Sequence, residues 1–64
     1  MNILELNNML QERKIVLISN SSNTFVYMNA LSGAEYIVCV SDTQNISHSV
    51  IKRFETLTGL SLLG

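Results

Sequence analysis

The chain opens with NILELNNMLQER, residues 2–13, where Ile3, Leu6 and Leu10 recur at helical spacing with Met9 beside them. This spacing predicts a short helix. Asn2 is a suitable N-cap and Glu5 stands at the third helical position, the arrangement of a capping box. Asn7, Asn8, Gln11 and Glu12 fall on its polar side. At Lys14 the pattern changes. KIVLIS (14–19), TFVYMN (24–29) and EYIVCVS (35–41) are rich in β-branched and aromatic residues and predict three strands. NSSN (20–23) and LSGA (31–34) carry the residue types of turns. Leu31 to Gly33 fit a three-residue hairpin loop with Gly33 left-handed. The segment DTQNISHSVIKRFETLTG (42–59) returns to helical spacing. Asp42 or Asn45 is the expected cap, and Gly59 the expected C-terminal stop. Ile46, Val50, Phe54 and Leu57 form its apolar stripe with Ile51 flanking, while His48, Lys52 and Glu55 face away. Leu60, Leu62 and Leu63 form an apolar tail that either tucks under the helix end or docks elsewhere. The expected fold class is α+β over one small domain, residues 1–64. It comprises a short N-terminal helix, a three-stranded antiparallel meander and a C-terminal amphipathic helix (αβββα), because short links favour neighbouring strands.

The third strand does not alternate: Tyr36, Ile37, Val38, Cys39 and Val40 follow one another. With Leu31–Gly33 as the loop, Ala30 pairs with Ala34, Met28 with Tyr36, and Val26 with Val38. With Ser19–Asn23 as the first loop, Val16 pairs with Val26. Side chains alternate along a strand, so one face becomes Val16, Ile18, Val26, Met28, Tyr36, Val38 and Val40. The other becomes Ile15, Leu17, Phe25, Tyr27, Ile37 and Cys39. Both faces are apolar, whereas an antiparallel sheet with one wet face shows alternation. Two short helices suffice for one face, so either they split between the faces or something else covers the second face; the latter is the reading preferred. The second set, Ile15, Leu17, Phe25, Tyr27, Ile37 and Cys39, is therefore the expected interface, with a second copy packing sheet on sheet as its simplest cover and another protein as the next.

Composition sharpens this picture. Charged residues make up 14% of the chain and hydrophobic residues 47%, against a usual charged share of about 25%. Charge repulsion therefore does little to keep copies apart. A net charge of −1 gives no basic footprint for direct nucleic-acid binding. One cysteine and one histidine within these 64 residues form neither a disulfide nor a Cys/His zinc site. No apolar run reaches the roughly 20 residues of a membrane span, and the N-terminus lacks the layout of a signal peptide. The expectation is a cytoplasmic protein with no membrane association.

Candidate chemistry is sparse. Cys39 lies between valines in mid-strand and reads as a buried, inert thiol. His48 has no nucleophile or acid named beside it, so it reads as a solvated helix residue. Arg13-Lys14 and Lys52-Arg53 are small basic pairs that solvate a surface. Gly33 is a turn residue and not part of a phosphate-binding loop. No catalytic, cofactor-binding or metal-binding residue is assigned, and an enzyme is not expected.

The order of elements resembles that of small phage-encoded anti-CRISPR proteins that inhibit type II effector nucleases. The resemblance lies in MNI opening a short helix, the Ser/Asn loop after the first strand, the GAEYIVCVS strand, and the Asp/Asn-capped helix with SVIKRF, over roughly residues 1–58. It implies a small inhibitor that binds a host protein and masks its functional surface, and no site residue is carried over from it. A small-ligand binder, such as a nucleotide binder with its pocket at a subunit junction, is the alternative, followed by a structural subunit of a larger assembly.

Overall fold

A computed structural model describes residues 1–62. Its elements run α1 (Ile3–Glu12), β1 (Ile15–Ser21), β2 (Thr24–Asn29), β3 (Glu35–Cys39) and α2 (His48–Thr58). The strands form one antiparallel sheet in the order β1-β2-β3. This is the expected αβββα layout.

Local chemistry explains the helix ends. Asn2 Oδ1 accepts from the Glu5 N–H at 2.9 Å, and Glu5 Oε1 accepts from the Asn2 N–H at 3.2 Å, closing the capping box. Past α1, Lys14 adopts φ 66° and its N–H donates to the Gln11 carbonyl, which turns the chain straight into β1. The cap of α2 is Ser47, not Asp42 or Asn45: its Oγ accepts from the Val50 N–H at 3.3 Å. Asp42 instead closes its own turn, accepting from the N–H groups of Gln44 and Asn45. Ile46 and Ile51 then occupy the positions of a hydrophobic staple, and both are buried. Gly59 caps the helix at φ 73°, donating to the Glu55 carbonyl. The segment before α2 is held to the start of the chain, because Ile3 N–H donates to Thr43 and Ile46 N–H donates to Met1.

Both helices lie on one side of the sheet, α1 over β1 and α2 over β3. Leu6 and Leu10 from α1 and Ile51 and Phe54 from α2 enter one core with Ile15, Phe25, Tyr27, Val38 and Val40. Tyr27, on the central strand, joins the two helices. Its ring meets Phe54 edge-on, with centroids 5.0 Å apart and planes at 83°. Its hydroxyl donates to Asn7 Oδ1 at 2.6 Å, which draws Asn7 off the wet side of α1 where spacing alone had put it. In α2 the buried stripe is Ile51 and Phe54 with Val50 partly covered, while Leu57 is 42% exposed. The tail tucks under the helix: Leu62 is buried and its N–H donates to Glu55 Oε2 at 2.7 Å. Leu63 lies outside the described residues. No helix among the described residues is long and apolar enough to cross a membrane.

Candidate interaction face

The register decides which side chains point away from the helices. In β2 and β3, Tyr27 pairs with Tyr36, Phe25 with Val38, Val26 with Ile37, and Met28 with Glu35. The hairpin loop is four residues, Ala30–Gly33, rather than three. Asn29 sets it: its N–H donates to the Ala34 carbonyl, and its Oδ1 accepts from the N–H groups of Leu31 and Ser32 at 2.9 and 3.2 Å. Gly33, at φ 79°, closes the loop by donating to the Asn29 carbonyl. One extra loop residue slides β3 by one position, and a one-residue slip moves every side chain to the opposite face. The β1–β2 hairpin also differs from expectation. Its turn is only Ser22-Asn23, with Ser22 at φ 56°, and Val16 pairs with Met28 instead of Val26. That two-residue slip preserves the faces, because the side-chain period of a strand is two. Farther along β1 a bulge places Ile18 and Ser19 together against Val26.

The six residues expected to form one interface are therefore divided. Ile15, Phe25 and Tyr27 are buried beneath the helices. Leu17 is on the same side, at the sheet edge, 37% exposed, and lines a shallow groove of about 260 Å³ with Asn7, Gln11 and Val16. Ile37 and Cys39 lie on the opposite face, where Ile37 is 63% exposed and Cys39 is exposed rather than buried. The bare face consists of Val16, Val26, Met28, Ile37 and Cys39, with Thr24 and Ser19 toward one end and Glu35 at the hairpin end. Val26 and Met28 are half-buried, consistent with flanking strands shielding a central one. The sequence expectation placed Val16, Val26 and Met28 on the covered side. The signal that separates the two assignments is Asn29, whose amide at a strand end favours a turn closed by side chain to backbone bonds.

Electrostatically the two faces differ as well. Among the strand residues of the bare face only Glu35 is charged, and Lys14 lies just before β1 at the same end of the sheet. On the covered face, burial pushes the Tyr27 hydroxyl up to about 12, so it stays neutral and able to donate to Asn7 across the physiological range. Every buried side-chain N or O atom among the described residues has a hydrogen-bond partner. His48 and both basic residues of α2, Lys52 and Arg53, are exposed. Among the described residues, no three His, Cys, Asp or Glu side chains gather as a metal site would require. A second shallow groove, about 330 Å³ along α2, is lined by Arg53, Thr56 and Leu57 and opens to solvent. No protein-family model, curated protein or solved structure matches the chain.

Proposed function

We propose that this protein is a non-enzymatic interaction module whose working surface is the bare face of its sheet. The observation that carries the reading is the placement of both helices on one side, which leaves Val16, Val26, Met28, Ile37 and Cys39 without a covering layer. A contiguous apolar patch of that kind is the usual mark of a protein contact. The weak charge of the chain supports a protein partner over direct nucleic-acid contact. The resemblance of the element order to that of small anti-CRISPR proteins supports a narrower version: a phage or mobile-element inhibitor that masks a functional surface of a host protein, such as a CRISPR effector nuclease, in the host cytoplasm.

The test is DNA cleavage by a purified type II effector nuclease with and without this protein. Inhibition by the wild type, abolished by Ile37→Lys with the circular dichroism spectrum unchanged, is the expected result. Inhibition that survives both Ile37→Lys and Val26→Lys would remove the bare face as the working surface. Full cleavage in the presence of excess wild type would remove the inhibitor reading.

A further inference from the structure

Resting on the reading of the bare face as the working surface, we propose that its occupant is a second copy of this chain. The two sheets pack face to face about a two-fold axis parallel to β2. Three observations argue for this occupant and this axis. The first is access. Both helices pack on the other side, so among the described residues no element stands over the three strands on this face, and a sheet of the same size, five to seven residues per strand, can lie flat across all of them.

The second is composition. Val16, Val26, Met28 and Ile37 offer a charged partner nothing to pair with, but they complement an identical apolar face, as the inner faces of a sandwich do. The third is the placement of charge, which selects the axis. Lys14 and Glu35 stand at the same end of the sheet on opposite edges: the Lys14 carbonyl accepts from Ala30, and Glu35 pairs with Met28. An axis parallel to the strands lays β1 across β3 of the other copy with hairpin end over hairpin end. Each Lys14 then approaches Glu35 of the partner subunit, twice per dimer, as an isologous interface requires. An axis across the strands would instead lay β3 on β3 in reverse. Glu35 would then come to the end that holds Cys39 of the partner subunit, where the strands offer no lysine or arginine to pair with it.

Sedimentation equilibrium of the full chain, from low micromolar to near-millimolar concentration, tests the proposal. The expected mass at the upper end is that of two chains, falling to one for Val26→Lys and for Ile37→Lys with circular dichroism unchanged. Lys14→Glu and Glu35→Lys should each weaken dimerisation by roughly five- to thirtyfold, as two exposed ion pairs allow. The double swap should restore the dimer to within about threefold of wild type. A dimer insensitive to the swaps overturns the axis. A single-chain mass at every concentration overturns the second copy as occupant. If that monomer still inhibits the nuclease and loses inhibition with Ile37→Lys, the working surface stands and another protein covers it. A dimer broken by Val26→Lys with inhibition intact does the reverse, keeping the self-contact and removing it from function.

Discussion

Residues 25 to 28 of β2 put two different environments within four positions. Phe25 and Tyr27 point toward the helices and are almost wholly buried, whereas Val26 and Met28 point the other way and have only their neighbouring strands for cover. Hydrophobicity does not distinguish the two pairs. What distinguishes them is a second layer. On the covered side, Leu6, Leu10, Ile51 and Phe54 turn apolar contact into burial, and Tyr27 satisfies its one polar atom on Asn7. On the bare side, the same residue types stop at half-burial. An apolar side chain stabilises a fold only to the extent that something lies over it, so the first face supports the monomer and the second is free to serve another contact.

The strongest way to break this contrast is truncation on each side of one strand. Tyr27→Ala removes the ring packed on Phe54 and should cost about 3–5 kcal/mol. A chain of this length has a total of only roughly 3–10 kcal/mol, so urea denaturation should find the variant largely unfolded. Met28→Ala, one residue on, should cost less than about 1 kcal/mol in the monomer, measured at concentrations too low for association. Equal losses at the two positions would mean the bare face belongs to the core.

Smaller effects sharpen the contrast. Gly59→Ala meets no neighbouring atom, so its cost is purely that of a left-handed backbone, about 1–2 kcal/mol by thermal denaturation. Ser47→Ala, which removes the cap of α2, should cost about 1 kcal/mol on the same measurement. Tyr27→Phe keeps the ring and deletes only the bond to Asn7, for about 1 kcal/mol near neutral pH. The same pair of proteins has a pH signature. The Tyr27 hydroxyl is raised by burial from the usual 10 to about 12, so its neutral form is favoured by folding. That contribution is fully present below about pH 10 and is lost as pH rises toward 12. Wild-type stability should therefore fall across that window more steeply than that of Tyr27→Phe. Parallel curves would show that Tyr27 does not titrate differently on unfolding.

Much of this was open to reading in one dimension. The capping box of Asn2 and Glu5, the stop at Gly59, the three strands and their antiparallel order all follow from local rules that span a few residues. The lack of alternation in β3 made both sheet faces apolar, but it left open whether the helices would split between them or share one side. Which residues form that face did not follow, and the reason is physical. When one face is polar, a one-residue slip exposes the mistake, because it buries charge. Here Tyr36, Ile37, Val38 and Cys39 are acceptable on either side, so the hydrophobic pattern left the register of β3 undetermined.

The sequence alone therefore determined the elements, their order and the apolar character of both sheet faces, because periodicity, caps and turn residues act locally. The tertiary structure decided that both helices share one side and which residues form the face left bare. The four-residue loop held by Asn29 chose Val38 for the core and Ile37 for the outside. The tertiary structure also decided where Asn7 goes, since the Tyr27 hydroxyl reaches it from twenty residues along the chain. No local propensity encodes that contact, and it exists only once α1 has settled on the side of the sheet that Tyr27 faces.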